Sequence, residues 1–288
     1  MAKKTTILRQ LLARKEILVA PGAYDAASAI AAARTGFEAV YMTGSGATTS
    51  LTGLPDIGLA TMSEMVMKAG YMAEAVEVPL ISDADTGYGN AVNVMRTVRA
   101  FERAGVAAIH LEDQVAPKRC GHVAGKQVIS LEEGVGKIRA AVEARTDPDF
   151  VIIARVDSRA VNGFEDAVRR GKAYLEAGAD VIFPEALESA EEFAAYARAV
   201  PAPLFANMTE FGKSPLLSAG ELERMGYKIV IFPATSFRVA LKAVLDFYAE
   251  LKRTGTQAGY LDKMVSRKYL YEVIDYARFS EYERKFVS

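Results

Sequence analysis

Charge of one sign is missing from this chain: 35 Lys and Arg stand against 36 Asp and Glu, a formal net charge of −1. That balance argues against nucleic acid or an anionic membrane as partner, since either favours a basic face. Cysteine is nearly absent too. The one thiol, Cys120, excludes an intrachain disulfide framework and fits a reducing compartment. No run reaches the roughly 18 to 20 apolar residues that span a bilayer. The opening MAKKTT leads into a polar, periodic segment rather than the apolar core of a signal peptide. Cytoplasm is the expected compartment, with no membrane partner. Gly- and Ser-rich linkers are also lacking, so 1–288 reads as one domain.

What is present is repetition. Eight apolar runs with strand character alternate with segments of helical period. The strands are expected at Ile17–Ala20, Ala39–Met42, Pro79–Asp83, Ala107–Leu111, Phe150–Arg155, Val181–Pro184, Pro203–Ala206 and Ile229–Phe232. Alanine-rich amphipathic stretches lie between them, among them Ala26–Arg34, Ala91–Arg103, Leu131–Ala144, Phe164–Ala177, Ala190–Ala199 and Phe237–Leu251. Gly36, Gly105, Gly178 and Gly226 each follow such a stretch, where glycine ends a helix in the left-handed conformation. Near-continuous apolar strands separated by helices imply a parallel sheet covered on both faces. Eight units predict a single closed (β/α)8 TIM-type barrel, with an open doubly wound sheet as the alternative. A tyrosine-rich segment, Leu261–Arg284, adds a C-terminal helical extension over about 252–288. It either packs on its own barrel or exchanges with a neighbouring subunit.

In such a barrel, polar residues at strand C-terminal ends converge on one mouth. The ends here read Tyr41-Met42-Thr43-Gly44-Ser45-Gly46, Asp83-Ala84-Asp85, Glu112-Asp113, Arg155-Val156-Asp157, Glu185, and Asn207-Met208-Thr209-Glu210, with Arg238 after the last strand. Asp83 and Asp85 are two apart, so in a strand both project to one side. Two like charges held together favour a cation, and oxygen ligands of this kind suit Mg2+. Glu112 and Asp56 could complete an outer shell through water. Alternatively, the two aspartates only shape a turn before Gly87 and Gly89.

Lys118-Arg119-Cys120-Gly121-His122 sits in a loop from about 115 to 129, long enough for a lid. A lone cysteine is often a small buried hydrophobe. This one has cationic neighbours, which favour thiolate and attract a carboxylate. Gly44-Ser45-Gly46 is an anion-binding backbone or a plain turn. Arg155 and Arg238 call for a carboxylate or phosphate partner, whereas His110 reads as a core histidine. Charges in 188–192 and 221–224 read as solvated helix faces, and Met62, Met65, Met67 and Met72 as packing.

Together, Asp83-Ala84-Asp85-Thr86-Gly87-Tyr88-Gly89, Lys118-Arg119-Cys120-Gly121-His122 and Asn207-Met208-Thr209-Glu210-Phe211-Gly212 resemble the isocitrate lyase/phosphoenolpyruvate mutase superfamily. Gly53-Leu54-Pro55-Asp56 and Glu112-Asp113-Gln114 match in order, from about Leu8 to the C-terminus. Within it, the cysteine loop with NMTEFG looks like the methylisocitrate lyase branch. The resemblance implies retro-Claisen cleavage of a small di- or tricarboxylate, 2-methylisocitrate, to pyruvate and succinate. Related 2-hydroxy acid lyases acting on 2,3-dimethylmalate or isocitrate, and oxaloacetate decarboxylases, are the alternatives; a non-catalytic ligand-binding barrel is more remote. The resemblance further implies Mg2+, with Mn2+ as a possible substitute, held directly by Asp85 and largely through water by Asp83, Asp56 and Glu112. Substrate contacts would come from Thr43, Gly44, Ser45, Lys118, Gly121, Glu185, Asn207, Thr209, Arg238 and Arg267. Cys120 would be the general acid and Tyr41 a candidate base, with Arg155 and His122 holding negative oxygens. A homotetramer with swapped helices is implied as well. One departure from many relatives is Val156, with Ser158 beyond it, which bears on substrate preference.

Overall fold

A computed structural model describes residues 2–122 and 125–287. Eight parallel strands close into a barrel in strictly sequential order. They are β1 (Leu18–Ala23), β2 (Val40–Met42), β3 (Leu80–Asp83), β4 (Ala108–Glu112), β5 (Val151–Val156), β6 (Val181–Pro184), β7 (Leu204–Asn207) and β8 (Tyr227–Phe232). The ring closes where Leu18 to Pro21 of β1 pair with Ile229 to Phe232 of β8. The expected strands are all present, β1 running three residues further than its apolar pattern and β8 starting two earlier.

The sequence period of two explains both the core and the mouth. One residue set, including Leu18, Tyr41, Ile81, Ile153, Phe183 and Phe205, forms a cluster inside the ring. Its alternates, among them Leu80, Ile109, Ile152, Ala154, Ile182 and Val230, pack outward against the helices. Counting by two from the inner set reaches Thr43, Asp83, Glu112, Arg155, Glu185 and Asn207. The lumen therefore turns from apolar to charged at its C-terminal end, as a barrel active site requires. Val156 belongs to the outer set. It faces the helices, so its lost hydroxyl does not alter the mouth.

Side-chain caps define where the intervening helices begin. Asp25, Thr61 and Asn90 form reciprocal capping boxes at Ala26–Arg34, Met62–Ala75 and Ala91–Arg103. Gly36, Gly105, Gly178 and Gly226 all have positive φ, as expected. Helix Gly44–Thr52 was not anticipated; the Gly-Ser-Gly segment begins it, with Thr43 as N-cap. Met65 and Met72 are buried while Met67 is exposed.

The C-terminal region differs from the barrel in one respect. Helix Thr235–Thr254 has no buried residue, and Leu245 and Tyr248 are 57% and 60% exposed. Beyond it, the segment expected as one helix is broken into a 3-10 turn (Ala258–Lys263) and helices Arg267–Val273 and Tyr276–Phe286. The last break falls at Asp275, whose φ of 54° no helix interior accommodates.

Candidate active site

A cavity at the C-terminal mouth is lined by Tyr41, Thr43, Gly44, Ser45, Asp56 and Asp83 on one side. Cys120, Gly121, His122, Arg155, Glu185 and Asn207 face them, and Thr209, Glu210 and Arg238 close the rim. Most of the expected residues thus meet in one place; Asp85 and Glu112 do not line the cavity but lie behind it, against Lys118 and Arg155. Arg267 lies elsewhere. It lines a surface groove with Arg34 and Tyr271, because the chain leaves the barrel at Gly255 and its last helices settle outside. Arg267 is not part of this subunit's own mouth.

The acidic side is held together by a turn, not by strand alternation. β3 ends at Asp83, and Asp85 has φ 47°. Its backbone N–H donates to Oδ1 of Asp83 at 2.8 Å, which fixes the turn that carries both aspartates. Lys118 extends from the loop after β4 into this cluster, pairing with Asp56 and lying 2.9 Å from Oδ1 of Asp85. The lysine expected to meet substrate is here the counter-ion of the acidic group. Burial pushes the Asp83 carboxyl up, against the pull of Lys118. Burial likewise raises Asp85 to about 6, again opposed by Lys118. Glu112 is raised well above the usual range by burial, partly offset by Arg155, and its Oε1 is buried without a hydrogen-bond partner.

Three aspartates around one ammonium leave a shortage of positive charge, Glu112 being paired with Arg155. The donor set fits a hard divalent cation with oxygen ligands. Among the described residues, no three carboxylate, histidine or cysteine side chains converge at ligand spacing.

The opposite wall is basic. Arg155 is buried between Glu112 (3.3 Å), Asp157 (2.8 Å) and Glu185 (3.6 Å). Its guanidinium stands over the Phe183 ring at 5.2 Å, a platform that sequence inspection missed because Phe183 looked like ordinary core. Burial alone would raise Glu185, yet Arg155 and His122 hold its carboxyl well below the usual range. Asn207 donates to both Glu185 oxygens at 3.3 Å, leaving its own Oδ1 buried and unpartnered. Nδ1 of His122 accepts from the Lys213 N–H at 3.0 Å, and Nε2 lies 3.1 Å from Glu185. Arg238, at the exposed rim, pairs with Glu210 and stands over Phe211.

Cys120 is exposed on its loop while lining the cavity. The protein packed around its thiol still raises its pKa, with a hydrogen bond from the His122 backbone opposing. Burial thus outweighs the pull of nearby cations on this thiol. Gly121 is a close-approach glycine. A Cβ there would lie 2.2 Å from Glu185 Oε1 and 2.4 Å from Arg155 Nη2. Gly44 is another, since its Cβ would lie 2.1 Å from Asp83 Oδ2.

Tyr41 is buried, and its hydroxyl is 2.7 Å from Nε2 of His110. Burial, reinforced by Asp83, lifts the phenol well above 10.0, so it is protonated at neutral pH. His110 is a core histidine as expected, fully buried and packed on Phe183 and Phe205. Burial, with Arg155 adding to it, holds it well below 6.5, hence neutral.

A closed parallel barrel whose mouth sets an acidic cation pocket against a basic, thiol-bearing loop defines a class: (β/α)8 lyases that act on carboxylates. The chain belongs to the phosphoenolpyruvate phosphomutase family, whose model matches residues 8–252. It is 53% identical to 2-methylisocitrate lyase of Aeropyrum pernix, over 97% of this chain and 89% of that one. It is 50% identical to 2,3-dimethylmalate lyase of Eubacterium barkeri, over 98% and 97%. Among solved structures, a phosphonopyruvate hydrolase complex with oxalate and Mg2+ superposes with a TM-score of 0.91, at 32% identity and full coverage of both chains.

Proposed function

We propose that this protein is a Mg2+-dependent carbon–carbon lyase that cleaves 2-methylisocitrate to pyruvate and succinate. The observation that carries the reading is the placement of Cys120, Gly121 and His122 across one cavity from Asp83 and Asp56. Asp85 would hold the cation directly, with Asp56, Asp83 and Glu112 acting through water. Mn2+ is a reasonable substitute. When bound, the cation supplies Lewis acidity to the substrate hydroxyl and its neighbouring carboxylate.

The remaining chemistry belongs to the chain. N–H groups at the start of helix Gly44–Thr52, with Thr43 and Ser45, receive a carboxylate. Asn207, Thr209 and Arg238 receive the far end of the substrate, with Lys118 available once a cation replaces it in the acidic cluster. Tyr41, whose hydroxyl is 2.7 Å from Nε2 of His110, is the candidate base for the substrate hydroxyl. The carbon–carbon bond then breaks, its electron pair going to the succinate fragment as an enediolate. Arg155 and His122 stabilise those oxygens, a large share of catalysis in such reactions. Cys120, a thiol and so already carrying its proton, protonates the carbon and yields succinate.

The unburied helix Thr235–Thr254 supports exchange of this helix with a neighbouring subunit within a homotetramer. On that reading residues 1–288 form one domain, and Arg267 serves an interface instead of its own mouth. The lone thiol favours the cytoplasm; no helix among the described residues is long and apolar enough to cross a membrane.

Pyruvate release from 2-methylisocitrate, 2,3-dimethylmalate, isocitrate and oxaloacetate, each with Mg2+ and with chelator, tests the assignment. Metal-dependent release that is fastest from 2-methylisocitrate, with succinate as co-product, is expected. Preference for 2,3-dimethylmalate would keep the mechanism and move the substrate, since one methyl in a pocket is worth only about 1 to 3 kcal/mol.

A further inference from the structure

Asp157 is fully buried at the end of β5, and three cationic or amide side chains share its two oxygens. Arg155 donates through Nε to Oδ2 at 2.8 Å and through Nη2 to Oδ1 at 3.3 Å. Lys126 donates to Oδ1 at 2.7 Å, its side chain only 1% exposed. Gln114 donates to the same Oδ1 at 3.2 Å. Lys126 and Gln114 both belong to the stem of the cysteine loop. Gln114 also donates to the Arg119 carbonyl at 2.8 Å and accepts from its N–H at 3.0 Å. Val115 N–H meets the Gln127 carbonyl at 2.9 Å, so the two sides of the stem are tied to each other.

This carboxylate does not touch the cavity, and nothing in the reaction requires it. Its position is nonetheless costly. A buried carboxylate whose partner is removed leaves an uncompensated charge, which destabilises strongly. Arg155 alone could answer Asp157, but Arg155 also serves Glu112 and Glu185. Lys126 supplies the second positive charge that Asp157 needs while the Arg155 guanidinium also faces Glu112 and Glu185. It does so only when the loop is in place, because the lysine is carried by the loop itself.

We infer that Lys126 is a positioning residue which, through the Asp157 carboxylate, joins the cysteine loop to the guanidinium of Arg155. Docking the loop and aligning the arginine then become one event. Cys120 arrives as the proton donor only when Arg155 is set to hold the charge that Cys120 quenches. The inference rests on the cavity being the active site, as proposed above, but not on which substrate it takes.

Because Cys120 is the only cysteine, its alkylation by iodoacetamide reports loop position with no competing thiol. In Lys126→Met, alkylation is expected to quicken on the order of tenfold, and kcat to fall between tenfold and a hundredfold, the scale of a misplaced catalytic group. Mg2+ affinity should stay at the wild-type value. Lys126→Arg, which keeps charge and donors, should recover both alkylation protection and kcat. A merely structural lysine would move thermal stability without that paired recovery. If Lys126→Met fails to fold, Lys126→Gln, which still donates a hydrogen bond, is compared with Lys126→Arg by the same measures. Unchanged alkylation, unchanged kcat, or an arginine variant no better than the methionine or glutamine one overturns the inference. Alkylation needs no substrate, so it decides the loop half even if none of the four acids is turned over.

Discussion

Nζ of Lys118 lies 2.9 Å from Oδ1 of Asp85, so the loop that carries Cys120 also carries a cation into the acidic cluster. The ammonium offsets part of the negative charge of Asp56, Asp83 and Asp85, while burial raises the Asp83, Asp85 and Glu112 carboxyls.

A divalent cation should therefore stabilise the protein in a pH-dependent way. Burial puts Asp85 at about 6 against 3.8 when unperturbed. With a raised folded-state pKa, its contribution to stability is fully present below 3.8 and is lost as pH rises through about 6. Mg2+ binds the ionised form and offsets that loss. The difference in Tm between Mg2+ and chelator should widen as pH rises through about 6, by thermal denaturation. Asp85→Ala should remove the difference and the metal-dependent activity together; activity surviving in chelator would sink the metal assignment.

Cys120→Ser should lower cleavage by about 100-fold or more, the upper range of acid–base catalysis, because a hydroxyl is a far weaker acid than a thiol. Calorimetric Mg2+ binding should be unaffected, since Cys120 touches none of the carboxylates of the cation pocket. Near-normal turnover would take the thiol out of the mechanism.

Gly121→Ala tests the close approach of the loop. Its Cβ would meet Glu185 and Arg155 side chains at 2.2 and 2.4 Å, so the loop cannot seat without displacing them. We expect kcat to fall on the order of a hundredfold, as misplacement by about 1 Å costs. Thermal stability should change little, because the loop lies over the mouth and not in the apolar core.

Leu245 is the fourth site to change. It is 57% exposed on a helix with no buried residue, surrounded by Val244, Leu241 and Tyr248. Contiguous apolar exposure of this kind marks an interface. If the proposed homotetramer uses this face, Leu245→Glu should dissociate it, seen as a fall in mass by light scattering, with the barrel still folded by circular dichroism. An unchanged mass would remove this face from the subunit contact.

How much was legible beforehand follows from the range of each signal. Strand and helix positions were visible because the two periodicities are local and because glycines such as Gly36 and Gly178 mark helix ends. The cavity list was visible for a related reason: once eight strands form a barrel, inward residues at their ends must share one mouth. Lys118 was named for the cavity it lines, but its pairing with Asp56 and Asp85 was not foreseen, since only assembled geometry reveals which carboxylates a long side chain reaches. Lys126 and Phe183 went unnoticed because neither sits in a recognisable motif. Arg267 was placed at the mouth by resemblance, whereas within this chain it lines an outer groove with Arg34 and Tyr271.

Alternation and glycine placement, read along the chain, settle the barrel, its direction and the chemical character of its mouth, because steric preference and burial act over a few residues. Tertiary structure decides which charge answers which. Coulomb energy in a buried site depends on separations among Asp56, Asp85, Lys118, Lys126, Arg155 and Asp157, residues scattered over a hundred positions and joined only when the ring closes.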